Sequence, residues 1–308
     1  MSLVSADRSV RALLKQGIEQ LRDANVPSFT LAAELLLLHV MGRDRTWLYS
    51  HPEETLAESV IQNYFALVAR RASGEPTQHL TRKQEFWGLE FEVTPDVLIP
   101  RPETEHLIEV ALDRLAVREI RAGRTPRTSG EGIALVDIGT GSGCIAITLA
   151  KELPAATIYA TDVSKAALDV ARRNAARHGF AARIHFFESN LFEVFRPGAG
   201  VDPSLLFDLI ISNPPYIARR EAEQLPVEVR RHEPAEALFG GQEGYEFYDL
   251  LIREAARYLK SSGLLVLELG YNSLYAVQPL LDASGWSNVG VTKDLAGIPR
   301  VLSAEFRI

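Results

Sequence analysis

The 308-residue sequence predicts an α/β protein, with a doubly wound, mostly parallel sheet and a small N-terminal helical domain. Two patterns lead to this fold class. From residue 133 onward, short apolar runs alternate with helical stretches, the order expected when helices cover both faces of a parallel sheet. Before about residue 75, apolar residues recur at helical spacing instead. We therefore expect a helical domain at residues 1–85, a β-hairpin linker at 86–100 and the sheet domain at 101–308.

Three helices are expected in the first domain. They cover SVRALLKQGIEQLRDANV (9–26), LAAELLLLHVMG (31–42) and AESVIQNYFALVARRASG (57–74). In the first of them, apolar residues recur every three or four positions from Val10 to Leu21. The second is expected to end at Gly42, and Gly74 is expected to cap the third, because glycine readily adopts the left-handed conformation found just past many helix ends.

The next stretch joins the two domains. The alternation of apolar and polar residues in EFWGLEFEV (85–93) predicts a strand or a hairpin. LIPRPETEHLIEVALDRL (98–115) predicts a helix with Pro102 and acidic residues in its first turn. REIRAGRTPRTSGEG (118–132) is polar and rich in Gly, Pro and Arg, which predicts an exposed loop.

The second domain is expected to alternate strands and helices. The predicted strands are IALVDIG (133–139), TIYATD (157–162), RIHFF (183–187), FDLIIS (207–212), LLVLELG (264–270) and VLSAEFRI (301–308). The predicted helices are CIAITLAKEL (144–153), SKAALDVARRNAARHG (164–179), EFYDLLIREAARYLK (246–260) and SLYAVQPLLDASG (273–285). Sheets of this kind bind ligands at the carboxyl ends of their strands, so we look for a site there.

The composition narrows the possible functions. With 46% hydrophobic and 24% charged residues, the chain resembles ordinary globular proteins, and its net charge of −7 argues against stable nucleic-acid binding. No apolar stretch approaches the roughly 18 residues of a membrane span, and the first 15 residues lack the apolar core of a signal peptide. The single cysteine, Cys144, excludes an internal disulfide and suits a reducing cytoplasm. The histidine spacing indicates no metal site.

A glycine-rich loop follows the first predicted strand in LVDIGTGSGC. Gly139, Gly141 and Gly143 let the backbone approach a ligand closely and leave the N–H groups of the following helix free for an anion. A dinucleotide-binding fingerprint would need its third glycine at position 144, where this chain has cysteine. The tighter spacing favours a nucleoside that carries a small carboxylate, and it argues against a nicotinamide dinucleotide.

Two further strand ends carry candidate ligand-binding residues. Asp162 ends the second strand, where a carboxylate can accept both hydroxyls of a ribose. Asn190 and Leu191 follow the third strand and would flank an adenine ring, one by a hydrogen bond and the other by contact. The alternative is structural: a tight turn, an Asp that caps a helix, a polar loop residue and a core leucine.

The fourth strand ends in SNPPY, in which Pro214 and Pro215 stiffen the chain after Asn213. If this turn lies beside a nucleoside that carries a methyl sulfonium, the Asn213 oxygen and the Pro214 carbonyl can accept both N–H bonds of a planar NH₂ group. That arrangement aims the nitrogen at the methyl group without a base. Tyr216 would form an aromatic wall for the planar group. The structural alternative is a rigid turn with a capping Asn.

These motifs resemble a known family. DIGTGSG, Asp162 and NPPY look like those of the class I S-adenosylmethionine-dependent methyltransferases that modify planar NH₂ groups. EFWGLEFEVTPDVLIPRPETE (85–105) resembles the segment that links the two domains of bacterial peptide chain release factor N5-glutamine methyltransferases. The helical first 75 residues are also similar to the N-terminal domain of that family.

The resemblance implies a Rossmann-like methyltransferase domain, S-adenosylmethionine as cofactor and class 1 peptide chain release factors as protein partners. The implied reaction is methylation of the glutamine side chain in their GGQ motif, with Asn213 and Pro214 as catalytic residues and Asn213 to Tyr216 as the acceptor site. The implied cofactor contacts are Gly139, Thr140, Gly141, Ser142, Gly143, Asp162, Asn190, Leu191 and Asn213. The family usually has an acid where this chain has Asn190, whose amide oxygen can also accept from the adenine amino group.

Other functions remain possible from the residues alone. Adenine also presents a planar NH₂ group, so an NPPY motif suits an adenine-N6 methyltransferase acting on nucleic acid. The related ribosomal-protein glutamine methyltransferase shares NPPY, although its proline-arginine segment differs from IPRPETE. A third alternative is an interaction module that keeps the fold without catalysis. Residues 1–90 hold ten Lys or Arg and eleven Asp or Glu, so they carry no basic excess for DNA.

Three other features are interpreted as structural. The chain has its own GGQ at Gly240 to Gln242, which we interpret as a glycine-rich turn before a helix. Glu268 is interpreted as a structural acid at a strand end, because the proposed chemistry needs no base. Cys144 is interpreted as a small buried residue at a helix start.

Overall fold

A computed structural model describes residues 7–123, 125, 128–282 and 285–307. The chain groups into two units, one of Met1–Lys83 with Pro226–His232 (unit 1) and one of Gln84–Leu225 with Glu233–Ile308 (unit 2). Four expectations fall partly outside the described residues: the N-terminal segment, the predicted loop 118–132, the predicted helix 273–285 and the last predicted strand.

Unit 1 is helical. Its first five helices are α1 (Val10–Asp23), α2 (Phe29–Met41), α3 (Arg45–Ser50), α4 (Glu58–Ala72) and α5 (Thr77–Thr81). Ser9 caps α1, because its Oγ accepts a hydrogen bond from the backbone N–H of Ala12 at 3.3 Å. Helix α2 ends at Gly42, which has a φ of 62°. The apolar faces of α1 and α4 bury Leu21 and Val68 in a common core. The three predicted helices correspond to α1, α2 and α4 and are confirmed.

Two short helices and one helix end differ from the prediction. Helix α3 begins after Asp44, whose Oδ1 accepts from the backbone N–H of Trp47 at 2.8 Å, and α5 has five residues. Both are too short to show a helical repeat in the sequence. Ser73, not Gly74, is the cap of α4, and Gly74 follows it with a φ of 104°.

The predicted hairpin is present. It consists of β1 (Lys83–Phe86) and β2 (Leu89–Glu92). Trp87 and Gly88 form the turn with φ values of 54° and 68°, the positive angles that a two-residue hairpin turn of this hand requires. The rings of Phe86 and Phe91 are buried and meet edge-on, with their centroids 6.2 Å apart. The hairpin thus packs into the core of unit 2.

The remaining elements form the sheet domain and its coverings. The helices are α6 (Glu105–Arg121), α7 (Cys144–Glu152), α8 (Lys165–Arg177), α9 (Val227–His232), α10 (Ala235–Leu238), α11 (Glu246–Ala255) and α12 (Leu274–Val277). The strands are β3 (Ala134–Ile138), β4 (Thr157–Asp162), β5 (Ile184–Glu188), β6 (Phe207–Ser212), β7 (Ile217–Ala218), β8 (Phe239–Gly241), β9 (Leu259–Glu268), β10 (Trp286–Lys293) and β11 (Pro299–Phe306). Short 3-10 turns lie at Pro102–Thr104, Glu193–Phe195, Arg219–Gln224 and Gln278–Leu281.

The main sheet has seven strands in the order β10-β11-β9-β6-β3-β4-β5. The five strands from β9 to β5 run parallel, while β11 is antiparallel to both of its neighbours. Chain order reverses at β3, with β4 on one side and β6 on the other, which makes its carboxyl end the expected ligand position. Leu135 and Val136 of β3 face opposite buried cores. The predicted doubly wound, mostly parallel fold is confirmed.

Several element bounds differ from the prediction. Helix α6 continues to Arg121, into the predicted loop, because Arg118 is buried there and its Nη2 donates to Asp208 Oδ1 at 2.9 Å. Helix α11 ends at Ala255, since the residues from Leu259 onward already belong to β9. The edge strand β10 and the pair β7–β8 were not predicted. The last predicted helix is only one turn, α12, followed by a 3-10 turn.

Helix α9 groups with unit 1, although the division made from the sequence assigned it to the sheet domain. Arg71 of α4 is buried, and its Nη2 donates to Glu228 Oε2 at 2.6 Å. The side chain of Val227 lies against Gly74. Because Arg71 and Glu228 lie far apart in the sequence, the sequence pattern did not reveal this contact.

In the described part of the chain, no helix is long and apolar enough to cross a membrane.

Candidate active site

The glycine loop is held by the ends of β3 and β4. The backbone N–H groups of Gly139 and Thr140 both donate to the Thr161 carbonyl, at 2.8 and 2.9 Å. Gly141 has a φ of 54° and Gly143 has a φ of 82°, and a Cβ on Gly143 would lie 3.0 Å from the side chain of Ile147 and 3.1 Å from that of Ala171, slightly closer than ordinary contact. The positive φ values favour glycine at both positions, and Gly143 also has little room for a side chain.

Asp137, the second-to-last residue of β3, supports the glycine loop through Thr140. It is fully buried, and its Oδ2 accepts from Thr140 Oγ1 at 2.6 Å. Burial raises the pKa of Asp137 to about 7, and the bond from Thr140 opposes that rise. The sequence interpretation did not single out Asp137, because it reads as one polar residue inside an apolar strand.

Asp162 reaches the glycine loop from the end of β4. Its Oδ2 accepts from the Gly141 N–H and its Oδ1 from the Ser164 N–H, both at 2.9 Å. Burial raises the pKa of this carboxyl, and the backbone hydrogen bonds oppose the rise. Because each carboxylate oxygen has two lone pairs, one on each oxygen is still available for a ligand hydroxyl. The structural and ligand-binding interpretations of Asp162 are therefore compatible.

The turn after β5 presents one side chain outward and one inward. Asn190 is exposed, whereas Leu191 is buried. Leu191 has a φ of 51°, an uncommon conformation for a residue with a branched side chain. Its carbonyl accepts from Ser189 Oγ at 3.1 Å, which supports the turn.

The SNPPY turn is anchored at both of its polar residues. Ser212 Oγ donates to the Ile138 carbonyl at 2.7 Å, which joins the ends of β6 and β3. Asn213 Nδ2 donates to Thr104 Oγ1 at 3.2 Å, and Thr104 Oγ1 donates to Glu268 Oε2 at 2.6 Å. Thr104 and Glu268 are both almost fully buried.

These strand ends surround one pocket of about 560 Å³, within the range of about 300–1,000 Å³ typical of small-molecule sites. The predicted site residues that line it are Gly139, Thr140, Gly141, Ser142, Asp162, Asn190, Leu191, Asn213 and Pro215. Gly143, Pro214 and Tyr216 are not lining residues of this pocket as the structure describes it.

Tyr216 packs away from the pocket instead. It is half-buried, and a Cβ on Gly270 would lie 2.7 Å from its ring, so the ring rests on the Gly270 backbone. Burial raises the pKa of Tyr216 to about 12, which keeps its hydroxyl neutral. The predicted aromatic wall for an acceptor group therefore stays a prediction.

Comparison with known proteins gives the family. The profile described as the PrmC N-terminal domain matches residues 12–81, and the one described as a methyltransferase small domain matches residues 126–231. The chain is 40% identical to a release factor glutamine methyltransferase of Koribacter versatilis, over 96% of this chain and 97% of that protein. The enzyme of the same name from Burkholderia pseudomallei is 42% identical, over 89% and 91%.

The chain belongs to the release factor glutamine methyltransferase family. The family resemblance predicted from the sequence is confirmed, and the chain is a methyltransferase. Solved structures agree on the fold. A methyltransferase from Pyrococcus furiosus, 21% identical, covers 79% of this chain and 99% of its own with a TM-score of 0.51. The hMettl16 catalytic domain in complex with a MAT2A 3'UTR hairpin, 19% identical, covers 78% and 82% with a TM-score of 0.55.

Part of the methyltransferase pocket comes from residues that the sequence interpretation missed. The stretch after the hairpin contributes Pro95, Asp96, Val97, Leu98 and Pro100, and other elements contribute Thr104, Val163, Ala237 and Phe247. Val163 directly follows Asp162 and is 59% exposed, so an apolar side chain stands open at the place predicted for a nucleoside. The sequence signal was a valine placed directly after a strand-end acid and before the next helix.

Arg101 fixes another part of the pocket rim. Its Nη2 donates to both carboxylate oxygens of the buried Glu233, each at 2.7 Å. Glu233 directly precedes Pro234, which lines the pocket together with Glu236 and Ala237. The bond therefore attaches the IPRPETE segment to a rim segment more than a hundred residues away in the sequence.

The internal GGQ has a steric explanation. Gly240 and Gly241 lie in β8, which pairs in parallel with β7 just after NPPY, so they form a short strand and not only a turn. A Cβ on Gly240 would overlap the carbonyl oxygen of Pro215. Gln242 lies on the exposed bend that follows. The glycines thus let β8 pack against the NPPY turn.

Two other interpretations are tested by the site. Cys144 is buried, and burial raises the pKa of its thiol to about 12, which keeps the thiol neutral and supports its interpretation as a packing residue. Glu268 is not an isolated strand-end acid, because it accepts the Thr104 hydroxyl beside Asn213. Among the residues that the structure describes, no three His, Cys, Asp or Glu side chains are grouped to hold a metal ion.

Proposed function

We propose that this chain transfers a methyl group from S-adenosylmethionine to the side-chain amide nitrogen, N5, of the glutamine in the GGQ motif of class 1 peptide chain release factors. The observation that carries the proposal is the position of Asn213, which opens into the same pocket as Asp162 and the glycine loop. The names of the full-length relatives support the choice of acceptor.

The pocket fits S-adenosylmethionine in size and in chemistry. The Gly141 region offers close backbone approach for a small carboxylate, and Asp162 keeps lone pairs for the two ribose hydroxyls. Val163 and Leu191 supply apolar contacts for a base, and the Asn190 amide oxygen can accept from an adenine amino group. The cofactor supplies an electrophilic methyl group on a sulfonium.

The acceptor side needs orientation more than proton removal. An amide nitrogen is a weak nucleophile because its lone pair is delocalised. In this proposal the Asn213 oxygen and the carbonyl of Pro214, which is buried and does not itself line the described pocket, accept its two N–H bonds. This aims the nitrogen at the methyl carbon and favours the positive charge that develops on it. A new N–C bond forms as the S–C bond breaks, and the nitrogen then loses one proton to water. This chemistry needs no base, and Glu268, which accepts from Thr104, is not a lining residue of the described pocket.

The partner is a folded protein, and the helical domain is proposed to dock it. Residues 1–85 line no part of the described pocket, and their charges are balanced. A release factor as partner places the reaction in the cytoplasm. Adenine in nucleic acid is the second candidate acceptor, because it offers the same planar NH₂ group.

Mass analysis of a purified class 1 release factor tests the proposal. After incubation with the chain and S-adenosylmethionine, the GGQ peptide should gain one methyl group on glutamine. A release factor with that glutamine replaced by alanine is the control and should gain none. Methylated adenine in duplex DNA, with no change in the release factor, would reject the proposed acceptor.

A further inference from the structure

A chain of three hydrogen-bonded side chains runs from the pocket into the core of unit 2. Asn213 Nδ2 donates to Thr104 Oγ1 at 3.2 Å, and Thr104 Oγ1 donates to Glu268 Oε2 at 2.6 Å. We propose that Thr104 and Glu268 are positioning residues that hold the Asn213 amide with its nitrogen toward Thr104 and its oxygen available to the acceptor. The inference rests on the proposed function.

Three separate elements bring these side chains together. Asn213 directly follows β6, Glu268 is the last residue of β9, and Ser212 pairs with Leu267, so the two residues are neighbours across the sheet. Thr104 ends the 3-10 turn before α6 and is 2% exposed. The arrangement therefore depends on the sheet register and on the IPRPETE segment.

The direction of these hydrogen bonds fixes the orientation of the Asn213 side-chain amide. An ionised carboxylate only accepts, so the Thr104 hydroxyl must give its one proton to Glu268. Only lone pairs then face Asn213, and only the NH₂ end of its amide can pair with them. Within the described part of the chain, the Asn213 oxygen has no other partner. A flipped amide would instead point two N–H bonds at the two N–H bonds of the acceptor.

The protonation of Glu268 controls the direction of these hydrogen bonds. A protonated carboxyl can donate to Thr104, whose own proton is then free to turn toward the Asn213 oxygen. Burial raises the pKa of Glu268 to about 7, opposed by the bond from Thr104 and by the charges of Arg300 and Arg101. Glu103 adds to the rise, and Tyr216 and Tyr248, with raised pKa values of their own, stay neutral beside it. The rate of transfer should therefore increase as pH rises through this region.

Thr104→Val is the direct test, because valine keeps the shape of threonine and removes both hydrogen bonds. We measure single-turnover methyl transfer to a release factor at saturating cofactor. Loss of one positioning hydrogen bond, worth about 1.4 kcal/mol, predicts a rate about tenfold lower. Cofactor affinity by calorimetry should stay unchanged, since the glycine loop and Asp162 are intact. Thr104→Ser keeps the hydroxyl and should recover most of the rate.

Thr148→Val is the matched control. Thr148 is a fully buried threonine of α7 whose hydroxyl has no hydrogen-bond partner in the described structure, and it does not line the pocket. Its replacement should leave the rate of transfer unchanged. A Thr104→Val rate equal to that of the wild type would overturn the inference, and so would an equal loss in Thr148→Val.

A pH series tests Glu268 independently of whether Thr104→Val folds. From about pH 6 to about pH 8, the single-turnover rate of the wild type should rise as Glu268 ionises. Glu268→Gln keeps an acceptor oxygen for Thr104 and cannot titrate, whereas Asp137, whose pKa burial raises to about 7, titrates in both enzymes, so the rise should be clearly smaller in Glu268→Gln than in the wild type. The same rise in Glu268→Gln would remove Glu268 from the role. If the wild type transfers no methyl group to release factors at any pH, the proposed function itself fails.

Discussion

At the residue scale, the Asp162 carboxylate supports the fold, and we propose that the same carboxylate binds the ligand. Its two oxygens hold the Gly141 and Ser164 N–H groups, and Asp162 also lines the pocket. The structural interpretation of Asp162 is therefore observed, and the ligand-binding interpretation is compatible with it and stays a prediction. A replacement by alanine removes the loop anchor along with the ligand contact, so a more conservative change is needed to separate them.

Asp162→Asn keeps one side-chain oxygen as an acceptor and removes the charge. Charge-assisted bonds to a ribose are worth roughly 1.5–3 kcal/mol, so we expect cofactor affinity to fall by about 10–100-fold. Asp162→Ala should lose at least as much, because Gly141 is also released. Calorimetric titration with S-adenosylmethionine gives both values. Asp169→Asn, an exposed acid of α8 paired with Arg172, is the control. Unchanged affinity in both Asp162 variants would remove this residue from the site.

At the element scale, the short strand β8 packs against the NPPY turn and supports it. Its pairing with β7 sets Gly240 against the Pro215 carbonyl and Gly244 against the Tyr216 carbonyl. An added methyl group has no flexible side chain to displace there, since the atoms it meets belong to the backbone. The turn that presents Asn213 is therefore sensitive to a residue that lies outside the pocket.

Gly240→Ala should slow methyl transfer more than it weakens cofactor binding. The added Cβ must push the Pro215 backbone, and a small displacement of a reacting group can cost about 10²-fold in rate. Gly290→Ala is a fair control, because Gly290 also lies in a strand without a positive φ and its Cβ would meet a side-chain hydroxyl at 3.2 Å. Rates and affinities are measured in parallel. Normal transfer by Gly240→Ala would show that β8 does not support the turn.

The centre of the sheet is predictable from sequence, whereas its edge is not. Strands β4 and β6 match their predicted bounds, because strands of a parallel sheet covered on both faces form short, mainly apolar runs. Strand β10 pairs with β11 alone, and its exposed, polar sequence WSNVGVTK shows no apolar run. The end of α6 was hidden for a related reason, because the polar Arg118 and Glu119 are buried there.

The candidate site also contains residues that could be predicted from the sequence and residues that could not. The glycine loop, Asp162 and Asn213 stand at strand ends, so the fold brings them together by a known rule. Thr104 could not be found in that way, because it lies 109 residues from Asn213 and 164 from Glu268 and meets them only through the sheet register. Pro95 to Leu98 belong to a stretch that the sequence presents as a linker and the structure places on the pocket wall.

At the scale of the whole molecule, the described pocket belongs to only one of the two units. Unit 2 contains every residue of the described pocket, while unit 1 is a helical body with its own core. A protein acceptor is much larger than the pocket, so recognition beyond the glutamine has to come from outside it. The helical domain is the proposed source.

A truncated chain that begins at Lys83, so that the hairpin stays whole, separates cofactor binding from docking of the release factor. If the sheet domain folds alone, calorimetry should show cofactor affinity close to that of the full chain. Transfer to an intact release factor should fall by at least about 10²-fold, since a docking interface typically supplies several kcal/mol. A folded truncation that methylates release factors as fast as the full chain would make the helical domain dispensable.

The most direct test of the account is the single-turnover rate of Asn213 variants at saturating cofactor. Asn213→Ala removes the acceptor of one substrate N–H bond, and the loss of such a preorganised contact costs about 10²–10³-fold in rate. Asn213→Asp still accepts that bond, so we expect partial activity from it and almost none from alanine, with cofactor affinity less affected in both. Transfer by Asn213→Ala at a rate close to that of the wild type would show that Asn213 is a turn residue and that orientation of the acceptor amide does not depend on it.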